Sequence, residues 1–430
     1  MQILFDIFVI LILFLRTKSY NFPDMRFLLI AIYYLYYHFG FSISKFLAGY
    51  QRLISSEAYK SAAYMDALFF YTVISVFIIT TFFSKTTTNS LLRAYGNNSF
   101  TGYHVVLFYV TILILVLNIT FSIPSMLSGD LTSHRQDLVK ENIFLGFINK
   151  FLVILGPYLF ITFTCAEQRL RAYTLLVLIF TANLFTGQKM PMLLTIYLYF
   201  LATGAVKNKF SYSRFIIGIL ACLPILILYV FLTNKELLSV VNFETLTIAM
   251  RALWTRMFLI GPISVYDYFV TFPDGHNFLL FVRSELPADQ IVYNYRYSTG
   301  LFGTQNTFSY GNFYAYWGNL YVAVSLCVLV TLCLIYAHFS MHYLTKTKNE
   351  QTSLAILLLY LLPIFILTDA RTALEFPVLF IVTIAMYIEL RTNISGQWKI
   401  RQQVPVFLVC APLILFFVQG QIRGLLNLYF

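Results

Sequence analysis

Charge is scarce in this sequence. Asp, Glu, Lys and Arg make up 11% of its 430 residues, where a soluble domain carries about 25%. A chain so poor in charge cannot cover a water-facing surface, so an ordinary soluble domain is excluded. Cysteine is scarce as well. The five, Cys165, Cys222, Cys327, Cys333 and Cys410, all lie in apolar segments. They offer neither a disulfide framework nor a zinc-ligand spacing. The sequence has no P-loop, no Gly-x-Ser-x-Gly elbow and no His-Glu-x-x-His pair, which removes the commonest nucleotide-binding, serine-hydrolase and zinc-protease chemistries. Nor does it contain a solenoid repeat, a low-complexity tract or a stretch that reads as a separate soluble domain.

What it has instead is apolar length. Hydrophobic residues make up 59% and aromatics 18%, and the mean hydropathy is +0.76. A helix needs about 20 apolar residues to cross a bilayer. Candidate spans fall near 3–16, 26–43, 62–83, 103–125, 144–165, 171–186, 189–205, 213–233, 314–338, 352–368, 372–390 and 404–420. The expected class is therefore an all-α polytopic membrane protein of about twelve transmembrane helices, forming one integral domain over 1–430. The first run, MQILFDIFVILILFLRTK, lacks a basic start and a small-residue cleavage site, so it reads as a span.

The net charge of +11 would point to nucleic acid in a soluble protein. Here it fits basic cytoplasmic loops and an anionic ligand, and no nucleic acid partner is expected. The gaps after odd spans hold Arg16 and Lys18, Lys85 and Arg93, Arg169 and Arg171, Lys207, Lys209 and Arg214, Lys346 and Lys348, and Arg391, Lys399 and Arg401. The positive-inside rule places those gaps in the cytoplasm. Both termini, the turns at Gly187–Lys189 and Asp369–Arg371, and a long loop over 234–313 then face outward.

That loop is where the apolar pattern lapses longest, beyond what a connection needs. From Leu246 it carries LTIAMRALWTRMFLIG, whose apolar spacing predicts an amphipathic helix in the interface or partly inserted, broken at Gly261–Pro262. Its cations include Arg251, Arg256, Arg283 and Arg296; Lys189 and Arg371 sit in outward turns between spans. Arginine suits two-point grip on phosphate and keeps its proton. Taken one at a time, such loop arginines are accounted for more simply by snorkelling and ordinary salt bridges. The acids are scattered, with no Asp-x-Asp in an outer loop. One of Asp267, His276, Glu285 and Asp289 could serve as a general base, with a solvated or paired side chain as the blander role for each. Tyr295 and Tyr310 could stack on sugar rings or belong to an aromatic belt. His38, His104, His338 and His342 lie toward span edges with no ligand spacing, and the spans are nearly free of charge.

Four stretches carry a resemblance: FTGQKMPMLLTIYLYFLATG, MRALWTRMFLIGPISVYDYF, FVRSELP followed by GNFYAYWGNLYVAV, and LTDARTALEFPVLF, together covering roughly 175–390. They resemble the Wzy-type oligosaccharide repeat-unit polymerases of O-antigen and capsule synthesis, whose pattern has arginine where this chain has Lys189. The resemblance implies a glycosyltransferase of the bacterial inner membrane, multi-pass, with its active site on the periplasmic face. It would transfer a growing glycan from undecaprenyl diphosphate to a lipid-linked repeat unit. Carried over by position, Lys189, Arg251, Arg256, Arg283 and Arg371 would hold the lipid diphosphate. With cations in a metal's place, no metal and no cofactor are expected. Membrane lipids and a chain-length regulator protein are the implied partners. Three competing readings stand beside it, of which a metal-dependent membrane glycosyltransferase ranks low because outward acids before residue 65 are few, chiefly Glu57. An O-antigen ligase shares the architecture and the donor. A lipid-linked oligosaccharide flippase is a different class, against which charge-poor spans and the absence of repeats both argue.

Overall fold

The computed structural model describes residues 2–17, 27, 30–31, 33–44, 56–83, 102–128, 143–185, 189–207, 211–232, 242–273, 288–297, 311, 314–315, 353, 356–357 and 360. Among these the chain is helical, with no β-strand. The elements are α1 (Gln2–Thr17), a π-turn (Tyr34–His38) running into α2 (Phe39–Ser44), α3 (Glu57–Phe83), α4 (Gly102–Ser128), α5 (Ile143–Cys165), α6 (Arg169–Phe185), α7 (Lys189–Lys207), α8 (Tyr212–Leu232), α9 (Phe243–Phe258), α10 (Ile260–Thr271) and α11 (Ala288–Tyr297). The first eight expected spans thus fall on helices. The last four lie outside the described residues apart from isolated positions.

Among the described residues, one helical stretch, Gly102–Ile123 in α4, is long and apolar enough to cross a membrane by length and composition. Eight had been expected over this part of the chain. Part of the difference is physical. Helices α1 and α6 have 16 and 17 residues, short for a hydrocarbon core of about 30 Å at 1.5 Å per residue. The first turns of α3 are charged, with Glu57, Lys60 and Asp66.

Two packing groups organise the described helices. In the first, α4, α5, α6 and α7 pack on one another. The turn Ala166–Gln168 reverses the chain between α5 and α6, and Glu167 takes the left-handed conformation there at φ 58°. Arg171 anchors the same corner: its guanidinium lies 5.9 Å from the ring centroids of Phe108 and Phe163 and donates to Gln168 Oε1 at 2.7 Å. That arrangement buries an arginine stem among aromatic rings.

The second group matters more for function. Helix α10 packs against α3, α2 and the π-turn, and α9 packs against α8 and the π-turn. The shared core contains Tyr33, Tyr37, Tyr59, Met65, Phe69 and Phe70 from the early helices, and Val265 and Phe269 from α10. Helices α9 and α10 are therefore folded onto the N-terminal helices. Close approach is made possible by Gly40. A Cβ there would stand 1.9 Å from the Phe258 carbonyl oxygen and 2.6 Å from Pro262 Cγ.

Helix α9 begins with a reciprocal cap. Asn242 accepts from the Thr245 amide at 2.8 Å and its own amide donates to Thr245 Oγ1 at 2.9 Å. The chain breaks at Leu259, just ahead of the expected Gly261–Pro262, and α10 restarts at once. Pro262 falls in the first turn of α10, where no intrahelical donor is required.

Candidate functional site

Asp267 is the predicted acid that the structure describes most fully. It projects from α10, is 2% exposed, and its Oδ1 lies 3.3 Å from Arg296 Nε on α11. Neighbouring Tyr268 packs with Ala288 and Val292 of α11, which fixes the two helices against each other. Tyr314 completes the corner: its hydroxyl donates to the Phe272 carbonyl at 2.7 Å, and its ring stacks on Phe269 at 3.8 Å.

The other predicted residues distribute as follows. Arg251 lies exposed on α9. Arg256 is on the same helix, five residues on, about 140° around the axis at 3.6 residues per turn. Lys189 is the first residue of α7. Asp289 is the second residue of α11, and Tyr295 is 61% exposed near that helix's end. His276, Arg283, Glu285, Tyr310 and Arg371 lie outside the described residues. Of the predicted set, Asp267, Asp289 and Tyr295 are thus brought onto two packed helices, with Arg296 between acid and solvent.

Helix α9 has a mixed face. Phe243, Met250 and Trp254 recur at helical spacing and are 85%, 47% and 46% exposed. Arg251 stands next to this stripe. An apolar surface with a cation at its edge suits a ligand with a charged head and a hydrocarbon tail.

A second polar cluster was missed at the sequence level. His38, in the π-turn, is buried between two carboxylates. Its Nδ1 lies 2.6 Å from Asp66 Oδ2, on α3, and its Nε2 lies 3.2 Å from Asp6 Oδ2, on α1. Asp6 and Asp66 are both 0% exposed. The Tyr33 hydroxyl donates to Asp66 Oδ1, and the Tyr71 hydroxyl donates to Asp6 Oδ1 at 3.1 Å. Phe70 stacks on the imidazole at 4.2 Å. His38, expected only as a residue toward a span edge, is thus buried with two of the few carboxylates that the apolar segments carry. Each of the three residues is isolated in its own apolar run, so a reading segment by segment sees one stray polar group at a time. A signal was present nonetheless. In helices running alternately up and down, the start of the first, the end of the second and the start of the third share one depth, and Asp6, His38 and Asp66 occupy those places.

Each ring nitrogen of His38 is engaged by a carboxylate oxygen, so the three groups bond to one another and do not surround an empty centre. Among the described residues no group of three or more His, Cys, Asp or Glu is arranged to hold a metal ion. Compared with protein-family models, with curated proteins and with solved structures, the chain shows no match in any of the three.

Proposed function

We propose that the chain is a membrane glycosyltransferase that polymerises oligosaccharide repeat units carried on undecaprenyl diphosphate, working at the periplasmic face of a bacterial inner membrane. The observation that carries this reading is α9: an exposed apolar stripe with Arg251 at its edge, on a loop segment docked to the early helices. In this reading the full chain spans the membrane about twelve times, and the described helices are part of that frame. The lipid tail lies along the apolar stripe, and the diphosphate meets Arg251 with Arg283, Lys189 and Arg371, while Arg256, about 140° around α9, meets a second ligand group. Breaking the anomeric C–O bond leaves negative charge on the departing diphosphate, which fixed cations stabilise as it forms. The acceptor hydroxyl makes the new glycosidic bond and gives up its proton to a base, for which Asp267, His276, Glu285 and Asp289 are the candidates.

The test is elongation of lipid-linked repeat units by purified protein. Arg251→Ala should cut turnover about tenfold to a hundredfold, the worth of one lost charge-assisted contact of roughly 1.5–3 kcal/mol. Arg251→Lys should recover only part of it. Polymerisation should persist in excess EDTA. Unchanged turnover per folded molecule in Arg251→Ala would remove the diphosphate grip. Transfer to lipid A–core alone, with no chain growth, would assign the ligase instead.

The buried Asp6–His38–Asp66 cluster favours a second reading, a flippase for the same lipid-linked units, because ionisable groups buried in apolar helices often mark transport pathways. Movement of the unlengthened unit across a liposome bilayer would select it.

A further inference from the structure

We propose that Asp6, His38 and Asp66 form a buried proton-binding site, loaded at Asp6 from the side of Tyr71, whose occupancy sets how firmly α1 is held. Both imidazole nitrogens face carboxylate oxygens, at 2.6 and 3.2 Å. Two such contacts need a proton in each. Either an imidazolium donates to two carboxylates, or a neutral imidazole donates to one and accepts from the other as a carboxylic acid. The two arrangements hold the same protons and the same single negative charge. They interconvert by one transfer, in which an N–H bond breaks and an O–H bond forms along one contact.

That negative charge is enclosed. Asp6, His38 and Asp66 are all but inaccessible, under the Phe70 ring. Enclosed charge is a poor device for stability, since apolar residues of similar volume commonly hold helices together as well or better. A third proton would cancel the charge. On the Asp66 side both oxygens are held by buried partners, Oδ2 by the shorter His38 contact and Oδ1 by the Tyr33 hydroxyl. On the Asp6 side the partners are the longer 3.2 Å contact and the hydroxyl of Tyr71, which is 37% exposed. Uptake on Asp6 Oδ2, the oxygen that faces His38, neutralises the cluster and releases the Asp6–His38 contact. Helix α1 otherwise presents much of its surface outward, with Leu4, Ile7, Phe8, Leu11 and Ile12 all exposed.

Among the described residues, the surrounding elements contribute few competing charges. On α3, Glu57 and Lys60 pair with each other at 2.6 Å at its exposed start. The π-turn adds Tyr34, with its ring 5.8 Å from His38. From α10 come Tyr266 and Tyr268, and Asp267, which faces Arg296. Arg251 and Glu244 on α9 are exposed.

The experiment is infrared titration of the full chain in lipid nanodiscs, following the carboxylic-acid C=O stretch as pH is varied. The wild type should show a titrating acid band. Asp6→Asn should abolish it. Asp66→Asn should move its midpoint by more than about one pH unit, the mark of groups that share protons. Tyr71→Phe removes a single partly exposed hydroxyl and should also move the midpoint, which keeps the test decisive if an aspartate variant fails to accumulate. Absence of a titrating band in the wild type overturns the proposal, as does a band that persists in Asp6→Asn. An unmoved midpoint in Tyr71→Phe also overturns it, as does a band that answers to sodium at fixed pH.

Discussion

Arg296 covers Asp267 from the solvent side: the arginine is 46% exposed and the aspartate 2%, with 3.3 Å between Nε and Oδ1. The two partners are not equivalent. Removing Arg296 takes the cation away from a buried carboxylate oxygen, which costs about 1–3 kcal/mol. Asp267→Asn leaves the guanidinium free to turn into water, at about 1 kcal/mol or less. Thermal unfolding of the two variants should therefore rank Arg296→Ala as the less stable. If Asp267 is the base, Asp267→Asn should lose turnover while keeping its melting temperature. Loss of stability with normal turnover per folded molecule would make the residue structural.

The close seat at Gly40 gives a sharper stability test. Gly40→Ala places a carbon against backbone, at the Phe258 oxygen, so α2 and α9 must part. A cost of about 1–3 kcal/mol is expected, typical of overpacking. Gly102→Ala meets nothing within 4 Å and should stay within about 0.5 kcal/mol of the wild type. Equal melting temperatures for the two variants would refute this packing of the loop on the early helices.

Glu167 offers a gain. Its left-handed backbone, φ 58°, disfavours a residue with a Cβ by about 1 kcal/mol, a penalty that glycine lacks. Glu167→Gly should raise the melting temperature slightly or leave it unchanged, the greater entropy of the unfolded glycine offsetting part of the gain. A marked fall would contradict the turn geometry.

The cap of α9 can be removed separately. Asn242→Ala deletes the acceptor for the Thr245 amide and should cost about 0.5–2 kcal/mol. Hydrogen exchange should quicken in the first turn of α9 more than in α10. Uniform protection along both helices would refute this role for Asn242.

The orientation is tested by single cysteines in a chain lacking the native five. Phe243→Cys lies on the expected outer side and Leu170→Cys on the cytoplasmic side, at 85% and 83% exposure. An impermeant thiol reagent should label the first in intact cells and the second only after permeabilisation. The opposite pattern would invert the proposed topology.

Helix placement was legible from hydropathy alone. The expected spans 103–125 and 144–165 lie within α4 and α5 to a few residues at either end, because a long apolar run has few ways to satisfy its backbone other than a helix. The helix from Leu246 was legible for the same periodic reason, and its break was foreseen within two residues. What could not be read was which helices meet. The Asp267–Arg296 pair joins elements 29 positions apart, and the bond from Tyr71 to Asp6 joins residues separated by 65. Periodicity reports the face of one helix, whereas these contacts depend on how several are packed. The loop therefore drew attention through its density of charge, while three lone polar residues in separate apolar runs did not.

Gly40 also has a consequence in time. A ribosome releases the chain from its first residue onward, so the backbone notch at Gly40 exists well before Phe258 and Pro262 are made. Until they arrive, the notch and the neighbouring aromatic rings lack the cover that α9 and α10 give them. Assembly therefore passes through a half-built state with an open groove, closed last by the segment proposed to bind substrate. Truncation between α8 and α9 would trap that state, with the rings that α10 otherwise covers left open.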